Sequence, residues 1–351
     1  MTRLVVSAIG PASSVQDDGR HGAQRYGLTP SGAMDRLALA AANALVGNAP
    51  FTAAIEIGPF GGAFTASEGA VRVGLAGALR NADIAGRAVT SDTSMTLADG
   101  ETLTLGFARG GSFSYLALEG GIAGEPMFGS LAVNARAGLG SPYPRPLQAG
   151  DELQTAPASG AGECRIDLPS PAQGPIRVVM GPQADEFDQD ATRLFLDSEW
   201  KISATSDRMG YRLEGPTIKH LHGHNIVSDG TVNGSIQVPG NGAPIVLMPD
   251  RGTSGGYPKI ATVITADLGR FAQISPGKSF RFEAITMASA QKEARNFAKL
   301  LDSLRDRLRP IANFDLNIEA LQGANVAGAA VNAVDAWTWQ IASAADLSAQ
   351  D

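Results

Sequence analysis

The chain has 351 residues, of which 44% are hydrophobic and 18% charged, with a formal net charge of −7. That length exceeds what one hydrophobic core usually serves and points to two domains of ordinary size. The composition is that of a folded, soluble protein, and an acidic balance without clustered Lys or Arg excludes a nucleic-acid groove.

No stretch reaches the roughly 18 apolar residues of a membrane span. The opening MTRLVVSAIG has too short an apolar core for a signal peptide, so no membrane partner and a cytoplasmic location are expected. The single cysteine, Cys164, forms no internal disulfide or thiolate metal cluster, in keeping with a reducing compartment.

In chain order, RLVVSAI has the length and β-branched content of a strand. Residues 15–37, VQDDGRHGAQRYGLTPSGAMDRL, follow: an acid pair, arginines and glycines in one polar run. It reads either as a binding loop that lets a ligand approach the backbone or as a solvated connection. The run launches a predicted helix through AMDRLALAAANALVGN, with Met34, Leu37, Ala38, Ala41 and Leu45 on one face, Ser31 as N-cap and Gly47 at the end.

AIEI, VRVGLA, TLTLGF and SFSYLALE then read as strands. Residues 156–175 have the Pro, Gly and Ser punctuation of a linker. Beyond it come the strand IRVVM, a helical spacing of Ala184, Phe187, Ala191 and Leu194, and the strands IQVP, PIVLM, KIATVITA and SFRFEAI. A last helix repeats Ala294, Phe297, Leu301, Leu304 and Leu308 until Pro310. The expected fold is mainly β, with two comparable halves. The fragments SGAMDRL and SDRMGYRL echo one another across the halves, and a cleft between two related subdomains is the default ligand site.

Asp207, Asp229 and Asp250 sit at loop positions where carboxylates bind amide N–H groups or take protons. Arg208 and Arg251 can hold a carboxylate or phosphate bidentately. The plainer alternatives are that Asp207 caps a turn, Asp229-Gly230 is a turn and Asp250-Arg251 is a surface pair. In KHLHGHN, an extended backbone would point His220, His222 and His224 to one side, a zinc-like spacing. Gly223 interrupts that strand and no acidic or cysteine partner is adjacent, so no metal is expected.

VQDDGRHGAQRYGLTPSGAMDRLALAAANALVGN, YLALEGGI, ARAGLG, PLQAGDEL, VVMGPQADEF, SDRMGYRLEG and GGYPKIATVITADLGRF together carry a resemblance over roughly Arg3 to Ile285. The chain resembles the biotin-dependent carboxyltransferase family in its KipA branch, also called allophanate hydrolase subunit 2 or the C-type subunit of 5-oxoprolinase. It departs from the family at Asp18, where an apolar residue is common, and in the PGNG and DRGTSGG loops.

The resemblance implies two tandem cyclophilin-like β-barrel subdomains, residues 1–155 and 176–286, joined by the linker and followed by a helix and tail, 287–351. Trp337 and Trp339 would dock that tail on a subdomain or a partner.

It also implies a KipI-type partner and, in ATP-dependent 5-oxoprolinase, a LamB/YcsF-type subunit. The implied activity is lactam opening of 5-oxoproline to glutamate. The alternatives are carboxyl transfer from carboxybiotin to urea or another amide, and a regulatory KipA-like role of binding a KipI-type kinase inhibitor. No P-loop ending in Gly-Lys-Ser/Thr occurs in the sequence, so ATP is expected to be used by the assembled complex and no cofactor is expected on this chain.

Either chemistry requires donors to an amide oxygen, a carboxylate near the amide nitrogen and exclusion of water. Asp17, Asp207 and Asp229 are the expected catalytic carboxylates. Gln16, Arg20, Ser31, Arg208, Gln237, Tyr257 and Lys259 are the expected substrate-binding groups.

Overall fold

The computed structural model describes residues 2–311. A strand apolar along its whole length needs cover on both faces. Val71–Ile84 is buried over its first six residues and Thr102–Leu118 over its last eight. These two strands pair antiparallel as the spine of an 11-stranded sheet. TLTLGF and SFSYLALE, expected as separate strands, are the two ends of Thr102–Leu118.

Helix α1 (Arg36–Leu45) covers one face, with every residue from Ala38 to Leu45 buried. Its alanines keep that surface narrow, and Gly74 lies beneath it. A Cβ at Gly74 would stand 2.4 Å from the Ala42 carbonyl oxygen, so this close approach requires glycine. The opposite face is filled by Leu4, Ile55, Phe64, Val73 and Leu75.

The second half forms an 8-stranded sheet, antiparallel except where Ile176–Met180 runs parallel to Phe282–Ala284. Its inner residues Val178, Ile236, Val246 and Ile260 join α1, Ala76 and Phe113 in one continuous hydrophobic cluster. The described chain is mainly β, as the sequence indicates, and the two halves share a core with α1 between them.

Several local expectations need correction. Asp35, not Ser31, caps α1, because its carboxylate accepts from Leu37 N at 3.1 Å and Ala38 N at 3.2 Å. Ser31 has a φ of 56° and its hydroxyl accepts from Asn134 Nδ2 at 3.1 Å.

The second helical spacing breaks at Phe187, which is extended. A 3-10 turn, Ala184–Glu186, precedes it, and Asp188 then caps α2 (Gln189–Asp197) by accepting from Ala191 N at 2.7 Å. A five-residue helix, α3 (Leu268–Ala272), has no counterpart among the expected elements. Helix α4 (Met287–Asp302) stops short of Leu304 and Leu308, where Ser303 Oγ turns back on Leu300 O at 2.9 Å.

The chain then enters strand Leu308–Pro310, which pairs with Cys164–Ile166 inside the expected linker, and so returns to the first sheet. The tryptophan-bearing tail lies outside the described residues.

Candidate functional site

The echoing fragments are not equivalent elements, since one leads into α1 and the other turns into strand Gly210–Glu214. They meet nonetheless. Arg208 donates from Nη2 to Gly32 O at 2.6 Å, and its Nη1 donates to Glu56 Oε1. Nε and Nη2 bind the two oxygens of Asp250 at 3.0 and 3.2 Å.

Glu56, wholly buried in strand Ala54–Ile57, accepts on its other oxygen from Tyr115 Oη at 2.6 Å and Met34 N at 2.8 Å. Burial alone would lower the Arg208 pKa, but Asp250 and Glu56 outweigh it and hold the guanidinium above its ordinary value. Burial first, then Glu56 and Asp35, raises Tyr115 far above the usual phenol range and keeps it a donor. One cation between two carboxylates leaves a net negative group at this junction.

A cleft of about 540 Å³ opens there between the halves. Phe60, Phe113, Asn134 and Arg136 line it from the first half, and Ile202, Asp207, Arg208 and Asp250 from the second. Asp207 is exposed and its Oδ1 accepts from Met209 N at 2.8 Å and Gly210 N at 3.2 Å, so it does cap a turn. Asp250 does not pair with Arg251. Arg251 is buried, its pKa lowered by desolvation, with Nη2 reaching Thr231 O at 3.4 Å.

The expected groups of the opening loop stand behind the first-half wall. Asp17 accepts from Gly19 N at 2.8 Å, Ser130 Oγ at 2.6 Å and Leu131 N at 2.7 Å, which ties this loop to residues 130–134. Gln16 donates to Ser14 Oγ and Val133 O. Arg20 is fully buried, its pKa lowered by desolvation, and it donates to Ala132 O. These side chains hold the segment that carries Asn134 and Arg136, and none of them lines the cleft.

Asp229, Gln237, Tyr257 and Lys259 gather elsewhere, around the two-stranded antiparallel sheet of Asp229–Gly230 and Ser254–Gly255. Lys259 is 2% exposed and its Nζ donates to Asp229 Oδ2 at 2.9 Å, which lowers the pKa of that exposed carboxyl. Gln237 lies opposite Lys259 in the sheet, and its Nε2 is buried without a partner among the described residues. Gln24 links the opening loop to this small sheet, donating to Thr231 O at 3.0 Å and Thr253 O at 3.1 Å.

Of the three clustered histidines, His220 and His224 pack edge to face with ring centroids 6.3 Å apart, and His222 turns away from them. His220 Nε2 meets Val238 O at 2.9 Å, His222 approaches Glu186 at 3.5 Å and His224 packs against Gly240. Among the described residues no group of three or more His, Cys, Asp or Glu could hold a metal ion.

A mainly β chain with a largely apolar cleft, carrying a few charged groups, between two fused halves defines the class. The chain belongs to the family described as carboxyltransferase domain, subdomain A and B, which matches residues 26–284. It is 36% identical over 293 residues to the C-type subunit of 5-oxoprolinase from Haemophilus influenzae, covering 84% of this chain and 94% of that one.

Among solved structures it resembles TTHA0988, with TM-score 0.73 and 31% identity over 81% of this chain, and spans 56% of that protein. It also resembles the K. lactis urea amidolyase, with TM-score 0.79 and 25% identity over 88% of this chain, but spans only 21% of that protein.

Sequence reasoning named Asp250 as a candidate loop carboxylate without placing it among the site residues, and missed Arg136 in the cleft and Glu56 and Tyr115 behind it. The one signal for Glu56 was a lone charge inside the strand AIEI, whose neighbours are apolar.

Proposed function

We propose that this chain is a cytoplasmic subunit of an ATP-dependent 5-oxoprolinase that opens the lactam of 5-oxoproline to glutamate, together with KipI-type and LamB/YcsF-type subunits. The observation carrying this reading is the 36% identity to a C-type 5-oxoprolinase subunit, over nearly the whole length of that relative. ATP is used by the assembled complex. In this reading residues 1–155 and 176–286 act as the two subdomains, and the cleft between them is the substrate site.

A lactam is a resonance-stabilised amide, so its opening requires the N–H to be held, the carbonyl polarised and stray water kept out. Asp250 is the carboxylate best placed for the N–H. Arg208 fixes both of its oxygens, Glu56 takes up part of the Arg208 charge, and each Asp250 oxygen keeps a further lone pair for a ligand. Phe60, Phe113 and Ile202 supply the apolar walls. Asp207 lies on the same wall as Asp250. Gln16, Asp17, Arg20 and Ser31 support the opposite wall, and Asp229 and Tyr257 present a second surface suited to a partner subunit, with Lys259 and Gln237 buried beneath it.

Asp250→Asn in the assembled complex should lower kcat about a hundredfold, with the melting temperature falling by only a few degrees. An unchanged kcat would remove Asp250 from the chemistry. The likeness to K. lactis urea amidolyase favours one second reading, carboxyl transfer to urea or another amide, for which the same carboxylate would hold an amide N–H.

A further inference from the structure

We infer that Arg136 reads the carboxylate of the substrate, so that the cleft selects an anionic lactam over a neutral one. The inference rests on the lactam-opening reading and adds to it the chemical class that the cleft admits.

The charges lining the cleft are unevenly placed. Asp207, Arg208 and Asp250 come from the second half, and buried Glu56 stands behind Arg208. Two lining carboxylates against one guanidinium, whose charge Glu56 also shares from behind, make that wall negative. Arg208 cannot serve as an anion receptor, because Asp250, Glu56 and the Gly32 carbonyl occupy the donors that face them.

The facing wall carries one cation, Arg136. It is exposed, and no described residue forms an ion pair or hydrogen bond with its guanidinium. The site of that arginine is built. Asn134 is 3% exposed and accepts from Ala137 N at 3.0 Å, and its backbone N and O close a turn with Leu139 around Arg136. The other side chains of the first-half wall named above, Phe60, Phe113 and Asn134, carry no charge.

A ligand lying across the cleft therefore meets carboxylates at one end and a free guanidinium at the other. A lactam ring with an N–H on one side and a carboxylate on the other satisfies both ends. A neutral lactam or urea satisfies only the first, and a carboxylate turned the wrong way would meet Asp207 and Asp250. Guanidinium also suits the task geometrically, since its fork matches two carboxylate oxygens.

The test is calorimetric binding of 5-oxoproline and of 2-pyrrolidinone, the same ring without its carboxylate, to the assembled complex without ATP. Wild type is compared with Arg136→Gln and Arg136→Lys, and each variant is checked for an unchanged melting temperature. Arg136→Gln should weaken 5-oxoproline about ten- to a hundredfold, as expected for loss of a charge-assisted contact. Arg136→Lys should recover part of the affinity, and 2-pyrrolidinone should bind all three alike.

Equal affinity of wild type for the two rings, failure of wild type to bind either, or an Arg136→Gln variant that loses neither or both, would overturn the inference. A wild-type complex that binds 5-oxoproline through Arg136 yet forms no glutamate with ATP would instead overturn the oxoprolinase reading and leave the inference standing.

Discussion

Asp17 and Asp250 each bind neighbours through both carboxylate oxygens, yet they should fail in different ways. Asp17 accepts only from donors of its own half, two backbone N–H groups and one hydroxyl. An amide there can accept at one oxygen alone and turns an NH2 toward a donor. Asp17→Asn should therefore cost about 2–4 kcal/mol in urea unfolding. Any activity it loses should return in proportion to the folded fraction. Asp250→Asn also turns an NH2 toward Arg208 and should cost some stability, but its turnover per folded molecule should fall far more than the folded fraction. Asp17→Asn that kept full stability and lost turnover would return Asp17 to the chemistry.

The sequence reveals residue types more readily than their partners. Asp207, Asp229 and Asp250 stand in similar loops, and only the fold shows that one caps a turn, one pairs with Lys259 and one faces Arg208. Each partner lies tens of residues away or is set by local backbone geometry, and nothing in the local pattern records it.

At the scale of elements, the strands were legible because their β-branched, apolar runs have the right length, and α1 because its face repeats at helical intervals. The ends of the helices were less so. Phe187, Leu304 and Leu308 keep helical spacing but lie outside the α-helices, because capping by Asp188 and the turn at Ser303 decide where the helices begin and stop.

One closely tied junction between elements is Asp267, which the sequence pattern does not mark. It accepts from Arg177 N at 2.8 Å, Arg177 Nη2 at 2.7 Å and Arg270 Nη2 at 2.8 Å, and so fastens α3 to strand Ile176–Met180. Burial alone would raise its pKa, but those bonds outweigh burial and hold the carboxyl below its ordinary value. An acid with a depressed folded pKa contributes stability above its unfolded pKa, about 4, and loses that contribution as pH falls through the folded value. Asp267→Asn should cost about 3 kcal/mol at pH 7, because it leaves two arginines without their shared partner. The gap to wild type should narrow as unfolding is measured below about pH 4. A gap that stays constant down to pH 2 would show that ionisation of Asp267 plays no part.

At the scale of the whole molecule, the strand content made a mainly β chain legible, whereas the echo of SGAMDRL with SDRMGYRL joins elements that are not equivalent. What the sequence did not reveal is that the halves share a core around α1 and that the echoing fragments bind each other through Arg208. The cleft walls are consequently fixed to one another by packing and by an ion pair.

The most direct measurement of the proposed function is ATP-dependent glutamate formation from 5-oxoproline by this chain purified with its KipI-type and LamB/YcsF-type partners, repeated with this chain omitted. Turnover is expected in the full assembly and none without this chain. A stable full assembly that forms no glutamate, or one that turns over equally well without this chain, would contradict the oxoprolinase reading.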